Sequence, residues 1–353
     1  MLPTPFTSLK SIPDDSRMVP GLMTIEGRRM RYAVSANSQQ GKALLAETLE
    51  AKRQRRSPNL NGIAPSDEFV DDDTWFINIH GYFAGGGMYW RESSKLVKSL
   101  GVKVLNPSLP GFGGSDALPW EELSMKGFAR RVVAIMDRLR IKRAVLLGHS
   151  MGGAVAIQIA SDFPNKVTGI IYRDGAGTPS WKDRDGIIVK VFAPIVPDLA
   201  AVLDLGSAAL LDLPDILLGR MNSTLRALLP DLQRNVRSLG RTIPAAAMLF
   251  GSDLSGEVSK VGNDIPILGM WGILDKITPP KTASEFSDIG QASIVWVPGG
   301  HSWMLARPAT QSWVLRYHEK GCDFLERTKE RENYLSSESH PANHFAKITQ
   351  LRR

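Results

Sequence analysis

Gly148-His149-Ser150-Met151-Gly152-Gly153 lies between an apolar run, Ala144-Val145-Leu146-Leu147, and a small-residue run, Ala154-Val155-Ala156-Ile157-Gln158-Ile159-Ala160. A buried-strand pattern, a G-x-S-x-G and a helix pattern thus follow one another without a gap. So sharp a turn predicts a strained backbone at Ser150, with its hydroxyl presented at the carboxyl end of a strand. Glycine is expected at positions 148 and 152 because the chain on either side passes too close for a Cβ. In this setting Ser150 reads as a nucleophile rather than as a solvated turn residue.

Strand patterns recur on both sides of that turn, at residues 75–79, 102–105, 144–147, 167–172, 265–270 and 293–297. Residues 23–34 read as a β-hairpin turning at Gly27. Between strands, Phe128, Val132, Ile135, Met136 and Leu139 repeat at helical spacing, with Ser124 placed to cap the helix. Alternation of strand and helix predicts an α/β chain: a parallel sheet with helices on both faces and the hairpin as an antiparallel edge. The expected division is a core over residues 1–177, a helical cap over 178–262, the rest of the core over 263–327, and a polar tail over 328–353. The cap assignment rests on the apolar, helix-patterned stretch that interrupts the alternation on the sheet edge where ligands bind. A polar insertion at 36–72 holds one helix pattern, 42–55.

Composition removes several classes of function. With 353 residues, 43% hydrophobic and 22% charged, the chain can bury a large core. Its single cysteine, Cys322, allows no internal disulfide, and with no secretory signal pattern the expected location is cytoplasmic. No apolar window reaches the length of a membrane span. The formal charge of +7 owes part of its excess to Lys42, Lys52, Arg53, Arg55 and Arg56. Such a run reads first as a solvated helix end and second as a site of weak peripheral membrane contact. No zinc-ligand spacing, phosphate loop or nucleic-acid motif is present, so neither metal, organic cofactor nor nucleic acid is expected.

A serine hydroxyl needs a base, and the base an orienting carboxylate. His301 follows the last strand pattern in Val297-Pro298-Gly299-Gly300-His301, on the same sheet edge as Ser150. Asp275 follows the strand before it and is the expected acid; Asp174, after the 167–172 strand, is the alternative. The order Ser…Asp…His is that of the fold in which G-x-S-x-G occurs. The oxyanion formed by attack on a carbonyl needs N–H donors. Met151, at a helix start, and Tyr82, in the loop His80-Gly81-Tyr82-Phe83-Ala84-Gly85-Gly86-Gly87, are the expected two. Phe83, His149 and Trp303 are the side chains expected to contact substrate.

These residues, with Pro107-Ser108-Leu109-Pro110-Gly111-Phe112-Gly113-Gly114-Ser115-Asp116, resemble the α/β-hydrolase superfamily from about residue 22 to about residue 320. The resemblance implies an eight-stranded, mostly parallel sheet with a helical cap after the sixth strand. It also separates subfamilies. Epoxide hydrolases and haloalkane dehalogenases of this fold carry aspartate where Ser150 stands. Epoxide hydrolases also use cap tyrosines, and residues 178–262 contain none. Serine-dependent carbon–carbon bond hydrolases share Ser-Met-Gly-Gly but usually place Asn before the nucleophile and Trp directly after the histidine; here these are His149 and Ser302. For such a reaction Arg220 and Arg226 would be the cap groups facing a dienolate. The expected activity is therefore hydrolysis of a hydrophobic or acyl carboxylic ester. The rivals are carbon–carbon cleavage of a vinylogous diketone, cofactor-free perhydrolysis or haloperoxidation, and non-catalytic ligand binding.

Overall fold

The computed structural model describes residues 14–60, 74–182 and 230–338, apart from 232 and 238. Its strands are β1 (Met18–Ile25), β2 (Arg28–Ser35), β3 (Trp75–Ile79), β4 (Lys103–Pro107), β5 (Ala144–His149), β6 (Val167–Arg173), β7 (Ile267–Gly272) and β8 (Ser293–Val297). They form one sheet in the order β1-β2-β4-β3-β5-β6-β7-β8. β1 and β2 are antiparallel to each other, β2 is antiparallel to β4, and every later pair is parallel. The hairpin turns through Glu26 and Gly27, both at positive φ (48° and 75°), the two-residue turn whose twist matches that of its strands.

The helices are α1 (Gln39–Arg53), α2 (Trp90–Leu100), α3 (Met125–Arg138), α4 (Met151–Asp162), α5 (Pro179–Lys182), α6 (Leu239–Gly251), α7 (Ser255–Asp264), α8 (Pro280–Gly290), α9 (Trp303–Ala306), α10 (Thr310–Tyr317) and α11 (Glu319–Glu338). Ser124 caps α3 as expected, its Oγ accepting Gly127 N–H at 3.0 Å.

Strand residues divide between two cores by their period of two. Trp75, Ile77, Ile79, Leu105, Leu146, Ile170 and Tyr172 pack on one face with residues of α3, α4, α7 and α8. Phe76, Val104, Val145, Leu147, Ile171, Leu268 and Met270 pack on the other with residues of α2, α9, α10 and α11. On this second face a buried ion pair stands in the core. Arg173, fully buried, donates to both Glu92 oxygens at 2.8 and 2.7 Å, to Asn78 Oδ1 at 2.7 Å and to Gln311 Oε1 at 3.0 Å. Its charge is compensated by these acceptors, the condition for a guanidinium to stay buried.

Two expectations change here. The predicted tail from 328 is, as far as 338, the end of α11. Phe324, Thr328 and Leu335 of this helix are buried, and Arg331 donates to the carbonyls of Val167, Asp264 and Pro164 at 2.9, 2.8 and 3.0 Å. Those residues recur along one face of a helix half of whose residues are charged, so overall polarity hid a docking stripe; residues 339–353 lie outside the described region. The expected cap boundary at 262 also moves, because α7 packs through Val258 and Val261 into the sheet core. The helix expected at 42–55 within the insertion is α1, at Gln39–Arg53, and its Leu44 and Ala51 are fully buried. In its basic run, Arg53 and Arg56 pair with Glu50 and Glu47 at 2.6 Å. Most of the expected cap, residues 183–229 with Arg220 and Arg226, lies outside the described region. Among the described residues no helix is long and apolar enough to cross a membrane.

Candidate active site

Ser150 sits between β5 and α4 at φ 52°, ψ −120°, a conformation non-glycine residues hold only when the surroundings impose it. The surroundings are backbone. A Cβ on Gly148 would lie 2.5 Å from Gly152 O, and one on Gly152 would lie 2.2 Å from Ile79 O. Ser150 N–H donates to Arg173 O at 3.0 Å, and Ser150 O accepts from Gly153 at 2.9 Å and Ala176 at 3.2 Å. The turn is thus tied to the end of β6 and the loop after it. Among the described residues the Ser150 hydroxyl makes no hydrogen bond, to His301 or otherwise.

Asp275 and His301 lie on the loops after β7 and β8, and His301 Nδ1 is 2.8 Å from Asp275 Oδ2. Asp275 is built as an acceptor. Oδ1 receives the N–H groups of Ile277 and Thr278 at 2.7 and 3.0 Å, and Oδ2 receives the Thr278 hydroxyl at 2.5 Å. Burial opposes its charge, but attraction to His301 and the hydrogen bonds from His301, Asp174 and Thr278 hold its carboxyl below the ordinary value. Asp174 behaves oppositely. Burial, then repulsion from Asp275, push its carboxyl well above the ordinary value. Asp174 accepts Gly272 N–H at 2.7 Å and Trp303 Nε1–H at 2.5 Å. Asp174, Asp275 and His301 each bring one potential metal-ligating atom within 4.8 Å of the others. The donors already bound to both carboxylates make the cluster an orienting network for His301.

The oxyanion candidates come from two segments, the start of α4 and the glycine loop. Met151 opens α4, so its N–H is among those with no intrahelical acceptor. The glycine loop comes close enough that a Cβ on Gly81 would lie 3.1 Å from Ser150 Cβ. Gly81 N–H is taken by Tyr89 OH at 3.3 Å and Ala84 N–H by Gly81 O at 3.3 Å, while Tyr82 N–H makes no bond to a described residue.

Two expected substrate contacts are placed elsewhere. Trp303 is 1% exposed, packed under the site with its indole N–H on Asp174. His149 is buried with both ring nitrogens engaged: Tyr89 OH lies 2.6 Å from Nδ1, and Nε2 lies 2.9 Å from His301 O. It is a neutral strut from the glycine loop, through Tyr89, to the His301 loop. Phe83, the third, is half-buried at φ 60° beside Tyr82. Thr278 and Tyr89 carry no motif that would have marked them. His80, which opens the glycine loop of the family resemblance, accepts Leu109 N–H at Nε2 (2.8 Å) and donates from Nδ1 to Gly81 O (2.7 Å), which fastens the start of the loop.

Burial pushes His80 down to about 4, and burial with the nearby His301 and Arg173 holds His149 well below its ordinary value. Both are neutral in the folded state, whereas the unfolded chain protonates them below about pH 6.5. Each therefore removes stability as pH falls, by about 1.4 kcal/mol per pH unit. His149→Asn should cancel one such contribution. In urea unfolding, the wild type is expected to lose about 2 kcal/mol relative to the variant between about pH 6.5 and pH 5. A constant difference across that range would show that His149 is not held neutral.

A family model described as the alpha/beta hydrolase fold matches residues 74–308. The chain is 27% identical over 236 residues to a protein of Mycobacterium phage D29 named as a non-heme haloperoxidase, covering 66% of this chain and 82% of that one. It is 28% identical over 214 residues to a 2-hydroxy-6-oxo-6-phenylhexa-2,4-dienoate hydrolase of Burkholderia cepacia, covering 58% and 72%. A thermophilic esterase from Thermogutta terrifontis has a similar structure, with a TM-score of 0.54 at 18% identity over 88% of this chain and 99% of that one, a likeness of fold.

Proposed function

The chain belongs to the α/β-hydrolase family, and within it we propose that it is a serine hydrolase of carboxylic esters working through an acyl-enzyme. Ser150 Oγ attacks the carbonyl carbon while His301 Nε2 takes the hydroxyl proton. The imidazolium so formed is stabilised by Asp275, then returns the proton to the leaving alcohol. Water, activated by the same imidazole, attacks the acyl carbon and releases the acid and Ser150. The N–H groups of Met151 and Tyr82 receive the oxyanion in both halves. The observation that carries this reading is the pairing of a strained Ser150 at the end of β5 with a His301 whose Nδ1 is held by an ionised carboxylate.

Ala245 and Leu249 of α6 are packed into the sheet core; the apolar composition of residues 178–262 is what favours a hydrophobic acyl group on the substrate. Across p-nitrophenyl esters from acetyl to palmitoyl, kcat/KM is expected to peak above acetyl. A maximum at acetyl would exclude a lipid-like substrate. Carbon–carbon cleavage is the second reading, favoured by the likeness to the dienoate hydrolase. Turnover of a vinylogous diketone with no ester turnover would put it first.

A further inference from the structure

The chain ahead of α6 reaches back over the glycine loop. Asn235 is fully buried there. Its Oδ1 accepts Gly113 N–H at 2.9 Å, and its Nδ2 donates to Phe83 O at 2.8 Å and Ala84 O at 3.0 Å. Both amide protons are used, and both hold the residues that directly follow Tyr82. Phe83 is at φ 60°, a left-handed conformation with little intrinsic support for an aromatic residue. Rotation at Phe83 toward negative φ would swing Tyr82 relative to α4. Asn235 captures the carbonyl of that strained residue and of the next one.

Neighbouring contacts act in the same sense. Tyr82 OH donates to Thr242 O of α6 at 3.1 Å. Asp231, buried and paired with Arg234 at 2.8 Å, packs where a Cβ on Gly85 would come within 2.4 Å of its carboxylate. With His80 fixing the loop start to Leu109, the loop is pinned at one end from the core and at the other from the segment between β6 and α6.

We propose that Asn235 is a positioning residue that aims Tyr82 N–H at the oxyanion, so that the oxyanion site is complete only when the segment ahead of α6 is docked on the glycine loop. This rests on the serine-hydrolase reading. It assigns no contact between Asn235 and substrate; the residue acts through the Phe83 and Ala84 carbonyls. Because the donor it aims is used by the transition state more than by bound ester, its loss falls on kcat rather than on KM.

The test compares wild type, Asn235→Ala and Asn235→Asp in p-nitrophenyl butyrate hydrolysis, together with the rate at which a fluorophosphonate captures Ser150. The Asp variant fills the same volume but presents an acceptor to two carbonyls, so it isolates donation from packing; it carries the test alone if the Ala variant does not fold. Both variants are expected to lose kcat on the order of 10- to 100-fold, with KM within about threefold and capture slowed in parallel. Melting temperature should fall further in the Asp variant, which buries a carboxylate against two unpaired carbonyls, and the acid limb of kcat/KM should keep its position. Amides 82–84 should exchange hydrogen faster in both variants. A folded Asp variant with kcat within about twofold of wild type overturns the proposal, as does a loss carried by KM alone. Failure of the wild type itself to turn over esters or to be captured would instead overturn the serine-hydrolase reading.

Discussion

Ser150→Ala is expected to lower ester kcat about a millionfold, to the residual rate that binding and oxyanion donors supply without a nucleophile. The magnitude follows from how the parts act as a unit. With no hydroxyl there is no acyl-enzyme, and His301 has no proton to take. The fold should survive, because the deleted oxygen makes no hydrogen bond among the described residues, while the backbone bonds that set the elbow remain. The alanine side chain retains the Cβ of Ser150 and adds no new steric demand at that φ. Melting temperature is therefore expected to stay within a few degrees, and stoichiometric fluorophosphonate labelling of the wild type should vanish in the variant. Persistence of either labelling or ester turnover would show that another residue is the nucleophile.

The second large effect belongs to Asp275→Asn, expected to cost about 10⁴-fold in kcat. An amide at 275 turns an N–H toward His301 Nδ1, which must then accept. The ring proton moves to Nε2, the nitrogen that should receive the Ser150 proton, and the base is lost with its geometry intact. Asp174 tests the explanation from inside the molecule. It lies in the same cluster and would ionise more readily once Asp275 is neutral, since repulsion from Asp275 is one of the causes that raise its carboxyl. Its oxygens, however, are committed to Gly272 N–H and Trp303 Nε1–H rather than to His301. Adding Asp174→Asn to Asp275→Asn is therefore expected to change kcat by less than about tenfold. A single-variant loss smaller than about a hundredfold, with the remaining activity abolished in the double variant, would show instead that Asp174 takes over as the orienting acid.

Both predictions draw on residues legible in different degrees. Ser150 could be read locally, because the steric demand that makes the elbow needs glycines two positions to either side. His301 could be read from chain order and strand ends, since parallel strands bring their carboxyl ends to one edge. Asp174 and Asp275 each sit just past such an end, so periodicity leaves them equivalent. What separates them is who donates to each carboxylate. Trp303 shows the same limit: a tryptophan two residues from His301 reads as a substrate contact until its indole N–H is found on Asp174. His149 likewise gains its role from Tyr89 and from a carbonyl 152 positions away.

Local pattern was enough to specify the alternation of strands and helices, the hairpin edge, the elbow and the sheet edge on which the chemistry gathers. Each of these is governed by periods of two or 3.6 residues, or by clashes between neighbours a few positions apart. Four outcomes had to wait for the assembled chain: which carboxylate orients His301, that His149 and Trp303 brace rather than face the site, that α11 docks through a hidden stripe, and that Asn235 reaches the loop of Tyr82. They depend on hydrogen bonds between residues far apart in the chain, where the partner is chosen by packing and no local pattern records it.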